Sequence, residues 1–497
     1  MERKVYDDDR RIPMTAYMGP RRAGKRYYKG VYGTHPMDPE EGFPSYIRDD
    51  VFEDYKAAGL SFLMPEGDAF FGKRLTKDGF VEEPDFEKSD LYQYMSMAKK
   101  HGLGVYPTMH ELFDDMTHGK CPFGEKEKAE LKHFIKTVQA YFPETFQGIM
   151  LTDEPSYELL DRVKEIVEYL QSDEIKVIKP DLDIFASMLP MYGAMRTFSP
   201  NTTEEKYQKM RNTKERKDAY HYYIEKCARA TGEISIDYYS LIYETGIAPS
   251  YYLNLEIAAE IGKKMGCPLT LTLQSQRLDE IKNQQTGRSR IIYRTPLYND
   301  MRWQTYSALA FGVKRLGYYT FWTHYDTGGA AEQKNTMVVY DLAEESGYRK
   351  TEIYQAVKEV NREILAFDHV FLRFDWQGCR VIKKSRERNI RMVHAGYEGG
   401  TLKAADGTRD TLIGCMQNPE DGAEGYWVVN ADNPSWCMEN DVELVFENAD
   451  RCIYYRKGKE YDVSLTRMPS EDSRDGKFSI RLGVGEGVFV IPYQKSE

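Results

Sequence analysis

The feature that most constrains this chain is an alternation that runs from about residue 12 to residue 325. A short apolar run, a polar loop and a helix-period stretch follow one another, and then the set repeats. That rhythm builds βα units around a parallel sheet. The predicted strands are 13–18 (PMTAYM), 61–64, 103–108, 148–152 (GIMLT), 183–189, 233–237, 268–273 and 316–322. Helix-period stretches such as DLYQYMSMAKKHG, YELLDRVKEIVEYLQ and NDMRWQTYSALAFGVK separate them, and Gly102 stands where a left-handed helix stop is expected. Eight such units close a (β/α)8 TIM barrel. An open doubly wound sheet seldom continues so far, and no glycine-rich phosphate loop follows the first strand. Residues 1–369 are therefore expected to form the barrel. Beyond about residue 370 helical spacing gives way to alternating runs (GYWVVNA, VELVFEN, CIYYRKG, FSIRLGV) between turn residues. Residues 370–497 are expected to form a C-terminal antiparallel β-sandwich domain.

Charge and composition exclude several partners. A formal charge of −11 opposes nucleic acid, which needs a basic face. No apolar run approaches the length of a membrane span. The first residues are charged, without the apolar centre of a leader, which predicts a cytoplasmic protein; a secreted chain already shorn of its leader would read the same. Seven scattered cysteines show neither a disulfide framework nor metal-ligand spacing, so neither metal nor cofactor is expected. Self-association is compatible with all of this. Tyrosine is abundant, 38 residues against 22 Phe. An apolar face with a polar edge suits a sugar ring, although core packing accounts for much of the excess.

Barrel enzymes carry their chemistry on the loops that follow the strands. Glu66 and Asp68 follow the second predicted strand, and His110 and Glu111 the third. Asp153 and Glu154 close the fourth, Asp237 and Tyr238 the sixth. Gln274 follows the seventh, and Trp322 and His324 the eighth. Such a mouth is rich in carboxylates, amides and aromatics. Neighbouring strand residues point to opposite faces, so one of Asp153 and Glu154 is expected to enter the pocket while the other supports it. The alternative for the pair is an acidic cap on the next helix. Asp237 is either a reacting carboxylate or a loop acid, Trp322 either a sugar platform or core.

The segments YMGP, GIMLTDEP, SIDYYSL, RWQTYSALAFGVKRLGYYTFW and YWVVN…GVGEGVFVIP resemble bacterial barrel-type glycoside hydrolases, whose C-terminal sandwich ends on a strand after a Gly-Glu-Gly turn, here Gly485-Glu486-Gly487. The resemblance implies cleavage of a glycosidic bond in an oligosaccharide or glycoside by two carboxyl groups. The β-retaining clan A pattern matches Glu154 as acid/base after the fourth strand. It fails at the seventh, where Gln274 stands in place of the nucleophilic Glu: an amide forms no glycosyl ester, so Gln274 is natural or a mutated nucleophile. The α-retaining clan D pattern instead puts the nucleophile on the fourth strand and the acid/base on the sixth, with Asp153 or Glu154 attacking and Asp237 donating the proton. The long loop 19–46 and the insertion 195–217 suggest a walled pocket and exo-action. Two further readings are a carbohydrate lyase or epimerase on a uronic acid, drawing on Tyr238 or His110, and a non-catalytic sugar-binding barrel.

Overall fold

The structure, a computed structural model, describes residues 6, 9–20, 46–65, 71–76, 79–108, 122–193, 214–280, 291–323, 331–341, 343–394, 396–468 and 474–494. Strand and helix alternate as β1 (Met14–Ala16), α1 (Asp49–Ala57), β2 (Phe62–Leu63), α2 (Asp90–His101), β3 (Gly104–Val105), α3 (Glu125–Tyr141), β4 (Gly148–Asp153) and α4 (Leu160–Leu170). The series continues with β5 (Asp183–Met188), α5 (Lys214–Thr231), β6 (Ile234–Tyr238), α6 (Tyr251–Met265), β7 (Leu269–Gln274), α7 (Tyr298–Ala310), β8 (Val313–Tyr319) and α8 (Glu352–Leu365).

Six of these strands form one parallel sheet in the order β1-β8-β7-β6-β5-β4. It is a curled half-barrel. Tyr17, Phe62, Met64, Tyr106, Met150 and Phe185, drawn from successive strands, converge on one small buried cluster separate from the helix-covered core. Strands β2 and β3 pair with each other in parallel. Individual backbone bonds tie them to both neighbours: Ser61 N donates to Met14 O at 2.8 Å, Val105 N to Thr145 O at 2.7 Å and Gln147 N to Val105 O at 3.1 Å.

Local sequence explains these elements. Every residue of β7 (LTLTLQ) is buried, as in a parallel strand covered on both faces. In α4 the buried set Leu160, Val163, Ile166, Val167 and Leu170 follows the helical repeat and faces the sheet. Ser89 caps α2, its Oγ accepting from Tyr92 N at 3.2 Å, and Gly102 ends it at φ 64°. The largest departure from expectation is β8, which starts at Val313 rather than 316. Its first turn carries Lys314 and Arg315, cations that read as the end of a helix. Both are paired inside the protein: Arg315 with Asp183 and Glu233, Lys314 with the carbonyls of Leu372 and Phe374 at 3.0 and 2.5 Å.

Above the C-terminal ends of β6, β7 and β8 the chain adds a small antiparallel sheet absent from the predicted scheme. It is built from Leu241–Ile242, Gly246–Ile247, Arg277–Glu280, Ile291–Tyr293 and Ala331–Asn335. These strands are short and carry no apolar alternation, so periodicity misses them.

The C-terminal region is all antiparallel. One sheet holds β9 (Asp375–Ile382), β11 (Thr411–Gln417), β12 (Glu424–Asn430), β17 (Gly487–Tyr493), β14 (Arg451–Arg456) and β15 (Lys459–Ser464) in that order. The other holds β10 (Leu402–Gly407), β13 (Asn440–Phe446), β16 (Gly476–Leu482) and Thr466–Arg467. Both bury Ile413, Tyr426, Val442, Leu444 and Val488 in a common core. The outer face of the first sheet packs Trp427 and Phe489 against Phe371 and Tyr306 of the helical layer.

The Gly-Glu-Gly turn fastens the two regions. A Cβ at Gly485 (φ 62°) would lie 2.3 Å from Asn299 O, so only glycine allows that approach. Glu486, 1% exposed, meets Arg302 and Arg456 at 2.7 Å each and accepts from Gly483 N at 2.7 Å. Burial alone would raise its carboxyl, but Arg456, Arg302 and the Gly483 amide overcome that and hold it down at about 2. A depressed acid stabilises the fold above its unfolded value near pH 4 and loses that contribution as pH falls toward 2. Glu486→Gln leaves Arg302 buried with only Glu363, at 3.7 Å, as its charge partner, and thermal unfolding at neutral pH is expected to show about 3 kcal/mol lost, the low end for breaking a buried pair. The deficit shrinks on acidification.

Candidate active site

Side chains at 235 and 237 in β6 alternate with Ile234, Ile236 and Tyr238, which join the helix-covered core. Asp237, 7% exposed, therefore points inward at the mouth of the curled sheet. Two strands away, β4 breaks its alternation. Its register with β5 shifts between Met150 and Thr152, so Leu151 is the extra residue of a bulge. Asp153 then lies opposite Ser187, and Glu154 follows at φ 47°, in the left-handed region. A non-glycine residue there costs about 1–2 kcal/mol and marks a position held for a reason other than stability. Backbone contacts lock it: Glu154 N donates to Ser187 O at 2.9 Å, and Pro155 O accepts from Tyr223 Oη at 2.7 Å.

The bulge and the left-handed turn have an electrostatic result. Solvent reaches Asp153 and Glu154, yet protein crowds them on most sides, as at a recessed site. Desolvation by that mass, then the Glu154 charge, pushes Asp153 up to about 7. Glu154 is raised by the same desolvation and eased by a side-chain hydrogen bond with Asp237. Asp237 is raised furthest, well above the carboxylate range, by its own burial and then by the charges of Glu154 and Asp153, with Tyr239 donating to it in partial relief. The three acids titrate as one coupled unit. A hydrogen bond between two carboxyl groups needs a proton on one of them, and the stronger upward push on Asp237 makes it the donor and Glu154 the acceptor. Of the two fourth-strand carboxylates only Glu154 hydrogen-bonds Asp237, while Asp153 bonds Ser187 and reaches Asp237 by its charge alone.

Tyrosines wall the cluster. Tyr239 meets Tyr293 edge-to-face (ring centroids 5.5 Å) and Tyr319 at a tilt (5.4 Å), and Tyr319 meets Tyr17 at 6.0 Å. Tyr192 hydrogen-bonds Tyr293, and its hydroxyl is raised chiefly by burial and partly by Asp237 and Glu154. Of these residues the sequence singles out only Tyr239, which stands beside Asp237 and Tyr238 at the end of the sixth strand. The available signal was their position, since Tyr17, Tyr192, Tyr239 and Tyr319 all stand at or just past the ends of strands.

Three predicted substrate contacts sit elsewhere. Tyr238, 1% exposed, is on the opposite face of β6 from Asp237, its hydroxyl 2.7 Å from Ser250 Oγ. Gln274 is fully buried and its amide is saturated: Oε1 accepts from Leu241 N at 2.9 Å, while Nε2 donates to the carbonyls of Leu241, Gln276 and Arg294. It pins the small sheet to β7, a task for which an amide, donor and acceptor at once, is better suited than a carboxylate. Trp322 is enclosed by Tyr46, Phe321, Tyr340 and Tyr348, so protein already covers its ring. Glu66, Asp68, His110, Glu111 and His324 lie outside the described residues. Among the described residues no His, Cys, Asp and Glu group of three or more is arranged to hold a metal ion, and no helix is long and apolar enough to cross a membrane.

No protein-family model matches the chain, and no curated protein sequence matches it either. Its structural neighbours are glycoside hydrolases. One described simply as a glycoside hydrolase is 11% identical with a TM-score of 0.50, over 98% of this chain and 92% of the other. A glycoside hydrolase family 5 protein from Bacteroides vulgatus is 10% identical over 97% and 88% (TM-score 0.48), and a β-glucosidase from Thermotoga maritima is 10% identical over 72% and 99% (0.40). The first of these likenesses extends over nearly the whole of both chains, and it shows the fold: this chain is built like a glycoside hydrolase, with a barrel-like parallel sheet followed by a β-rich C-terminal region.

Proposed function

We propose that the chain is a glycoside hydrolase in which Asp237 donates a proton to the departing glycosidic oxygen, while Glu154, or Asp153 beside it, attacks the anomeric carbon or activates water. What supports the reading is the carboxylate cluster, in which a protonated Asp237 lies within hydrogen-bond reach of Glu154 at the mouth of a parallel sheet. Hydrolysis of an acetal needs this pairing of one carboxyl with its proton and one without. Substrate would slip between the two groups, replacing their mutual hydrogen bond by one from Asp237 to the leaving oxygen.

In the same reading β2 and β3 close the half-barrel into eight strands, residues 1–369 form the catalytic domain and residues 370–497 the sandwich. Glu66, Asp68, His110, Glu111 and His324 then stand at strand ends as substrate contacts, and the enzyme removes terminal sugars. Placement of the carboxylates on the fourth and sixth strands is that of the α-retaining pattern.

The test is a screen of nitrophenyl α- and β-glycosides, with the first-formed anomer followed by nuclear magnetic resonance. Cleavage of an α-glycoside with retention is the expected result. Release of an unsaturated, ultraviolet-absorbing product from a uronide, with no glycoside hydrolysed, would sink it.

A further inference from the structure

Four large apolar side chains stand exposed in segments that follow β6, precede α7 and join β12 to β13. Tyr243 and Trp436 are each 41% exposed, Leu297 is 53% and Met438 36%. A single exposed apolar residue needs no explanation, but Tyr243 and Trp436 stand in segments that a hydrogen bond joins. The four come from three separate segments. Tyr243 lies in the excursion after β6, Leu297 immediately precedes α7, and Trp436 and Met438 belong to the loop between β12 and β13. Thr245 follows the C-terminal end of β6, so the loop that bonds it sits on the catalytic side of the sheet.

The Trp436 loop is built rigidly. Pro434–Trp436 is a 3-10 turn capped by Asn433, whose Oδ1 accepts from Ser435 N at 3.0 Å. Trp436 N donates to Asn433 O at 3.0 Å. Cys437 follows in the left-handed region at φ 52°, and Asn430 Nδ2 holds Met438 O at 2.9 Å. The turn is also tied to the barrel-like region, because Asn433 Nδ2 donates to Thr245 O at 2.8 Å. These contacts fix the backbone of the turn and so hold Trp436 in place with part of its ring open to solvent.

From the turn an aromatic line leads back to the carboxylates. Tyr243 N bonds Ile292 O at 3.1 Å, and the adjacent Tyr293 packs edge-to-face on Tyr239, which in turn donates to Asp237. Tyr243 is close in sequence to Thr245, and a single 3-10 turn carries the chain from Asn433 to Trp436. The α-carbons of Tyr243 and Trp436 therefore lie within about 20 Å of each other, the span of a few linked sugar rings.

We propose that Trp436, with Tyr243, forms an aromatic platform for the leaving-group sugars of a neutral oligosaccharide, supplied by the β-rich C-terminal region to the candidate site. The proposal rests on the hydrolase reading for its direction, with the terminal sugar at Asp237 and the chain running outward over the rim. It makes the C-terminal region a determinant of substrate length.

The test compares the intact protein with Trp436→Ala and Trp436→Phe on two probes. One is the nitrophenyl monoglycoside cleaved in the screen, and the other a tetrasaccharide of the same sugar. Loss of one stacking ring is expected to raise KM for the tetrasaccharide about tenfold in Trp436→Ala, with Trp436→Phe recovering most of it. The monoglycoside kcat/KM and the unfolding temperature stay at the wild-type values. Equal losses on both probes, or no loss on the tetrasaccharide, overturn the platform and leave the hydrolase reading intact. If the screen finds no cleaved glycoside, calorimetric binding of a panel of neutral tetrasaccharides decides. Binding that Trp436→Ala abolishes keeps the platform while the hydrolase reading falls, and binding by no tetrasaccharide removes both.

Discussion

Asp237→Asn is expected to lower kcat/KM on any cleaved glycoside by about 10²–10⁴-fold, the range for loss of a positioned general acid. The loss should depend on the leaving group. A nitrophenolate departs without a proton, so activated substrates suffer less than alkyl glycosides or oligosaccharides. The pH profile carries the sharper signature. The wild-type rate falls at alkaline pH as Asp237 gives up its proton, and falls at acid pH as Glu154 takes one. The amide variant keeps the acid limb and loses the alkaline one.

Stability supplies an independent check on the same substitution. A carboxyl whose folded pKa is raised stabilises the protein only while protonated; that contribution is complete below the unfolded value near pH 4 and drains away as pH rises through the folded one. Asp237, crowded by Glu154 and Asp153, is such a group. An amide in its place has no proton to give up and escapes that loss. The Asp237→Asn variant is therefore expected to unfold at a higher temperature than wild type at neutral and alkaline pH, with the gap closing near pH 4. A merely structural aspartate would give the opposite result, lower stability in the amide variant at every pH. Lost activity joined to gained stability is the mark of a site kept for chemistry.

Much of this architecture can be read from periodicity. The eight predicted strands find counterparts in β1 to β8, with ends displaced by one to three residues in most cases. Apolar alternation reports where side chains are covered, and coverage is what a barrel-like sheet imposes on each strand in turn. β8 is the instructive exception. Lys314 and Arg315 are polar in sequence but internal in the fold, and only the long-range partners Asp183 and Glu233 and the carbonyls after α8 make that possible. The excursion sheet fails for a related reason. Its strands are held by Gln274, three of whose four bonds run to distant backbone, and a lone glutamine announces none of them.

The site was legible in position and less so in geometry. Asp153, Glu154 and Asp237 follow from counting strands and asking what stands at each end. The contact of Glu154 with Asp237 does not follow, because strict alternation predicts neither the Leu151 bulge nor the left-handed Glu154. Trp322 and Tyr238 fail for a common reason. A residue at a strand end has two faces to choose from, and the choice rests on packing: Trp322 turns to Tyr46, Tyr340 and Tyr348, and Tyr238 turns to Ser250.

Glu154 carries the second large effect. Glu154→Gln keeps size and hydrogen bonding but removes the charge, and turnover is expected to fall by at least about 10³-fold if this carboxylate attacks carbon or activates water. Glu154→Gly separates the roles further. Glycine adopts φ 47° without a Cβ penalty, so the strain of about 1–2 kcal/mol disappears, partly offset by the greater flexibility of the unfolded chain. The folded protein should remain as stable as wild type or gain slightly, while activity is lost. The vacated space then admits a small anion. With an activated nitrophenyl glycoside, azide is expected to restore turnover and to yield a glycosyl azide of inverted configuration, because it enters from the side the carboxylate occupied. Should Asp153 be the attacking group, azide rescues Asp153→Gly and leaves Glu154→Gly inert. If neither variant yields a glycosyl azide and both hydrolyse the substrate at the wild-type rate, the fourth-strand carboxylates have no part in the reaction. The strained turn is what makes the experiment informative. A residue held against its backbone preference, next to a proline and opposite a protonated acid, is expected to be costly to the fold and indispensable to the chemistry, and the glycine variant measures both.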